Sequence, residues 1–305
     1  MTEWALHPVP RAGGVLREQV RAVGQALRIP ALALAGLIAL ATLMALAEML
    51  RGPTTVDFHP ERWIFPGIAG LLLPLALWTG EDRFGSGFLW TLPVDRRHHA
   101  LARVCAGWVW LMAAVGILVL WLLALTLATG GNVLGEETLQ MAASGSLPLS
   151  GAVDPAQLRA VRWRPDPVLW LVPFAGATAI YLLASAVALG VRRPLWWLAG
   201  TALAFFLAAV VLNEIGAAAG SRDLVLTPSR VLRSFIYGRY GLETLLLANA
   251  ESLSVETWLP SGQATVVWLG LPHPGPWAAA TLLWTGAGLV LLWAAASRHR
   301  ETRRR

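Results

Sequence analysis

The chain contains no lysine, and all 24 of its basic residues are Arg. A Walker A loop needs a Lys to reach the β and γ phosphates, so this chain cannot build one, and Schiff-base and Lys general-base mechanisms are excluded with it. One cysteine, Cys105, permits neither an intrachain disulfide nor a thiolate metal cluster, and its place in an apolar run predicts a buried structural thiol. No H-E-x-x-H and no G-x-S-x-G occurs; Gly145-Ser146 and Gly220-Ser221 read as turns. His7, His59, His98, His99, His273 and His299 all fall in loops or tails. Charged residues make up only 14% of the 305, too few for the surface of an ordinary soluble domain.

What is abundant is apolar. Hydrophobic residues reach 56% and the mean hydropathy is +0.58, a balance that belongs in lipid. Six stretches are long and apolar enough to cross a bilayer, near 30–50, 64–80, 104–129, 168–191, 195–212 and 276–297. The expectation is an all-α polytopic protein, one membrane domain over 1–305. The second stretch is the shortest and carries Pro66 and Pro74, which need neighbours to satisfy the backbone groups they free. With the N-terminus inside, the inner segments hold 15 of the 24 Arg and a net charge of +9, against −3 outside. The positive-inside rule then places both termini in the cytoplasm. Ala45-Leu46-Ala47 has the form of a cleavage site, but the long polar lead and the long apolar stretch fit a signal anchor better.

Before the first span, Leu16, Val20, Val23 and Leu27 recur at helical spacing beside a polar stripe of Arg17, Arg21, Arg28, Glu18 and Gln25. Residues 1–29 therefore predict a cytoplasmic amphipathic helix, at the membrane surface or packed on a partner. Two external loops, 130–167 and 213–275, are rich in Gly, Pro and Trp. The second is too long to lack structure, and Pro228 to Ala250 predicts short helices on or dipping into the outer leaflet. The 16 Trp, among them Trp63, Trp163, Trp258, Trp268 and Trp277 near span ends, fit an interfacial belt.

The most informative segment is the cytoplasmic connector 81–103. Glu81 closes the second span; Leu92-Pro93-Val94-Asp95-Arg96 follows, then Arg97, and Arg103 precedes the third span. Pro93 suits the first turn of a short helix, and Asp95, Arg96 and Arg97 face water or a partner. In these residues the chain resembles the permease subunits of the ABC-2 type transporter family, with an acidic residue at the end of span two and an L-P-V-x-R sequence. The amphipathic helix, the short turn at Arg192 and Arg193, the long external loop and the basic tail extend the likeness. Family members usually carry Lys where Arg103 stands. The resemblance implies a multi-pass protein of the bacterial inner membrane, an exporter paired with a second permease subunit, the same chain or a different one. It implies force from separate cytoplasmic ATPase subunits, which would hold the ATP and Mg, through Glu81, Leu92, Pro93, Val94, Arg96, Arg97 and Arg103. No cofactor, catalytic residue or metal ligand is expected in this chain, and no nucleic-acid partner, because the Arg follow topology.

Two other classes compete. A non-transporting membrane scaffold or sensor could use the external loops to bind a partner. An intramembrane enzyme is less favoured: Glu48, Asn213 and Glu214 lie at span ends, where snorkelling explains them. Glu136 and Glu137 resemble the paired acids of membrane CAAX-type proteases, without the Arg and His expected on adjacent spans. Spans so poor in charge suit an apolar or amphipathic cargo. Alternatively, the cargo contacts are Thr42, Thr178, Tyr181, Ser185 and backbone groups.

Overall fold

The computed structural model describes residues 12–52, 55–78, 96–133, 135–143, 153–191, 193–197, 234–248, 254–259, 264–271 and 273–297, with isolated positions between 199 and 211. Its helices are α1 (Ala12–Ala26), α2 (Arg28–Arg51), α3 (Phe65–Leu77), α4 (Arg96–Thr129), α5 (Val172–Gly190), α6 (Leu242–Leu247) and α7 (Pro274–Ser297). Four helical stretches are long and apolar enough to cross a membrane: α2, α4, Pro167–Gly190 with α5 inside it, and α7. The expected second span is represented by α3, whose 13 residues extend about 20 Å, short of the ~30 Å hydrocarbon core. Described positions from 194 to 211 are helical, and the rest of the expected fifth span lies outside the described residues.

The bundle closes on small residues and one phenol. Pro74 withholds the donor that the Gly70 carbonyl would use inside α3. Gly70 itself lies so close to α5 that a Cβ there would stand 2.6 Å from the Ala177 carbonyl oxygen. Tyr181 of α5 is fully buried, and its hydroxyl donates to the Val104 carbonyl of α4 at 2.7 Å. Leu77, Ala106, Leu111, Val115 and Leu189 pack in the same cluster. The hydrogen bond removes the cost of burying the phenol and fixes the relative position of α4 and α5.

α1 carries the expected stripe. Val23 and Leu27 are buried, Val20 packs beside them, and the Trp110 indole of α4 donates to the Val20 carbonyl at 2.9 Å. Leu16 stays exposed, as do Arg17, Glu18, Arg21 and Gln25 on the opposite face. The amphipathic helix thus lies against α4 of its own chain. α2 follows almost without a break and has no buried residue; Leu32, Leu37, Leu40, Leu43 and Leu50 are bare. Within it, Thr42 donates to the Ile38 carbonyl and accepts from the Trp121 indole at 2.9 Å. A bare helix this apolar suits a surrounding without water.

Two sequence expectations need correction. Cys105 is exposed on the outer face of α4, because the inward positions at that level go to Val104 and Ala106. The fold is also not purely helical. Strands β1 (Glu137–Ala142), β2 (Leu158–Trp163), β3 (Ser254–Trp258) and β4 (Ala264–Trp268) form one sheet in the order β2-β1-β4-β3. Each loop supplies an antiparallel hairpin, and a parallel pairing of β1 with β4 through Gln140–Val267 and Met141–Trp268 joins them. The sheet sits where α4 ends and where α5 and α7 begin. Of the short helices expected between Pro228 and Ala250, a turn at 234–237 and α6 are described, and α6 packs on α5 and α7.

Candidate functional site

The segment singled out by sequence joins α3 to α4, and its middle falls outside the described residues: Glu81, Leu92, Pro93 and Val94 are not described, and Arg96 opens α4 with its side chain undescribed. Its two flanks are defined. Arg103, on the second turn of α4, donates from Nη2 to the Leu77 carbonyl at 2.6 Å, and its guanidinium stands 5.1 Å from the Trp78 ring centroid. Leu77 ends α3, so Arg103 meets one of the carbonyls that a helix leaves without an internal donor, and its charge opposes the negative end of the helix dipole. Arg97, one residue into α4, lies 3.5 Å over the ring of Trp293 on the last turns of α7. The structure therefore brings Arg97 and Arg103 to one end of the bundle, holding α3, α4 and α7 together on either side of residues 79–95.

The opposite end holds a polar cluster that sequence reading missed. His59, in the loop before α3, is half-buried between two carboxylates: Nδ1 is 3.0 Å from Glu61 Oε1 and Nε2 is 2.9 Å from Glu137 Oε1 on β1. Burial by itself lowers the imidazole pKa, but the hydrogen bonds to Glu137 and Glu61 outweigh it and the nearby Arg62, raising it from 6.5 to about 9. His59 is therefore an imidazolium at neutral pH, donating from both nitrogens, with neither free to accept a proton. The arrangement suits a clamp, not a general base. Arg62, 4.0 Å from Glu61, also lies 5.3 Å from the Trp268 ring of β4. Phe58 packs edge-on against Trp170, its amide donates to the Asn132 carbonyl, and Asn132 donates to Asp57. One short loop thus fastens both hairpins to the bundle. The sequence signal was faint: an His-Pro-Glu turn and a Glu-Glu pair about 75 residues apart in the chain, with no spacing rule linking them.

Three of the polar side chains considered for cargo, Thr178, Tyr181 and Ser185, lie on α5. Thr178 accepts from Trp108 and donates to Met112 Sδ, Tyr181 holds Val104, and Ser185 is fully buried. Among the described residues no group of three His, Cys, Asp or Glu side chains is arranged to hold a metal ion. Comparison with protein-family models, with curated proteins and with solved structures finds no match.

Proposed function

We propose that this chain is the permease subunit of an ATP-binding-cassette transporter of the ABC-2 type, an exporter moving an apolar or amphipathic substrate across the cytoplasmic membrane of a bacterium. Its partners are cytoplasmic ATPase subunits and a second permease subunit. In this reading the chain has six spans and both termini inside, so that Arg97 and Arg103 mark the cytoplasmic end and the sheet stands outside; the excess of Arg at the termini and in 81–103 supports that orientation.

The observation that carries the proposal is the anchoring of the flanks of the Leu92-Pro93-Val94-Asp95-Arg96 segment. With Arg103 on the Leu77 carbonyl and Arg97 on Trp293, a push on residues 79–95 passes directly into three helices. That is what a coupling segment between an ATPase and a rocking bundle requires. The test is a mild-detergent pull-down on a C-terminal tag, with the neighbouring genes co-expressed. A Walker-containing ATPase is expected with the wild type and lost with Leu92→Asp plus Arg96→Glu; no ATPase in either sample ends the proposal. The second reading, a scaffold or sensor without transport, is favoured by the ordered sheet and its His59 fastening, and that negative result would select it.

A further inference from the structure

Trp284 lies ten residues into α7, roughly 15 Å along an axis of about 36 Å. Its indole donates at 2.8 Å to the Tyr240 carbonyl, so the segment 234–240 reaches the middle of a helix long enough to cross a membrane. Between them lies an open groove of about 570 Å³, walled by Phe235, Tyr240, Leu283, Trp284 and Ala287, with Arg239 on its lining. Phe235 stands edge-on to Trp284 at 5.1 Å, which shapes one wall. The volume lies within the range of small-molecule sites, about 300–1,000 Å³.

Arg239 is the unusual member. It is exposed, its guanidinium lies 5.7 Å from the Tyr240 ring, and among the described residues no carboxylate pairs with it. A cation on a groove beside a membrane-length helix is costly in hydrocarbon and persists where it meets an anion or a polar path. The groove is open, and apart from Arg239 and Ser234 its lining is aromatic, aliphatic or glycine. From the lipid phase the matching molecule has an acyl chain for the aromatic walls and an anionic head for the guanidinium.

We propose that this groove binds an anionic phospholipid, its acyl chain against Phe235, Leu283 and Trp284 and its phosphate at Arg239. The site rests on the membrane-embedded part of the function above and not on the ATPase, so a failed ATPase pull-down leaves it standing, and its own failure leaves the coupling segment untouched. The side chains considered from sequence, Thr42, Thr178, Tyr181 and Ser185, lie outside its lining.

The test uses the purified full-length protein in detergent with phosphatidylglycerol and phosphatidylcholine, each bearing a photoreactive acyl chain, and maps the labelled peptides by mass spectrometry. Phosphatidylglycerol is expected to label 234–240 and 283–287 at least fivefold more than phosphatidylcholine, with competition by unlabelled phosphatidylglycerol and none by inorganic phosphate. Arg239→Gln should bring the two lipids level, and Arg239→Lys should keep most of the preference. Ala287→Trp, which fills the groove, should remove both labels there. Equal labelling by the two lipids, or a preference unchanged in Arg239→Gln, overturns the proposal. Competition by inorganic phosphate alone would make this a soluble-anion site, and protection of both peptides by a second copy of the chain would make it a subunit interface; either result also overturns it.

Discussion

The Arg103 guanidinium donates to the carbonyl oxygen of Leu77 at 2.6 Å, joining the second turn of α4 to the last residue of α3 across 26 positions of sequence. The pair ends one helix and orients the next, on either side of residues 79–95. A charged side chain fills a carbonyl that lacks a helical donor, and Trp78 lies beside the same guanidinium.

Arg103→Ala should therefore lower stability in detergent by about 1.5–3 kcal/mol, the range for a hydrogen bond with a charged partner. It should also speed proteolysis between residues 79 and 95, because α3 loses its fixed end. Arg103→Lys should fall between the two, since an ammonium keeps the charge but not the planar face beside Trp78. Thermal unfolding followed by tryptophan fluorescence, with timed proteolysis, checks both; an Arg103→Ala protein as stable and as resistant as wild type would remove the clamp from the account.

His59 makes stability depend on pH in a defined window. Its pKa in the folded protein, about 9, lies above the ordinary 6.5, so the folded state holds the proton more tightly than the unfolded chain. The stabilisation is full below pH 6.5 and is lost as pH rises through about 9. A difference of this size corresponds to on the order of 3 kcal/mol. Melting midpoints at pH 6 and pH 9.5 should fall apart in the wild type, while His59→Gln should flatten that window and Glu137→Gln should narrow it. An equally steep pH dependence in His59→Gln would place its cause elsewhere.

How much of this was legible in the sequence depends on the range of the interactions. α2, α5 and α7 lie in runs of apolar residues long enough for a crossing, and the stripe of Leu16, Val20, Val23 and Leu27 announced α1 through its period. The sheet was hidden because β1 and β4 are more than 120 residues apart, and strands of five or six residues leave little alternation to read. The His59 cluster was hidden for the same reason: Glu137 reaches it only once β1 is paired. Cys105 was misread because an apolar run does not say which of its faces points inward. Arg97 and Arg103 were visible as charges at the start of a span; their partners, Trp293 and Leu77, were not.

Two glycines of α3 should respond differently to the same change. A Cβ on Gly70 would meet the Ala177 carbonyl at 2.6 Å, a backbone atom that cannot turn aside, whereas one on Gly67 would meet the end of the Leu246 side chain at 2.7 Å. Gly70→Ala should cost about 1–3 kcal/mol through forced separation of α3 from α5, and Gly67→Ala should cost less because Leu246 can change rotamer. The comparison is read from melting midpoints of the two variants at equal detergent concentration. Equal losses at both positions would mean that α3 and α5 are not held as closely as their backbones indicate.

The contact between Arg97 and Trp293 ties the start of α4 to the end of α7, and its strength can be isolated from its surroundings. At 3.5 Å from the ring, the guanidinium sits within the ~6 Å reach of a cation–π interaction, worth about 0.5–2 kcal/mol as water is excluded. Trp293→Leu removes the ring, Arg97→Gln removes the charge, and a double-mutant cycle on unfolding returns the coupling between them. A coupling of about 1 kcal/mol is expected, and Trp293→Phe should keep part of it because a smaller ring still offers a negative face. In the transporter reading the same variants carry a second expectation: with α7 released from α4, ATPase turnover in the assembled complex should continue while transport falls, because the push on residues 79–95 reaches fewer helices. Transport and turnover falling together in Trp293→Leu would show that the contact serves assembly and not the transmission of force.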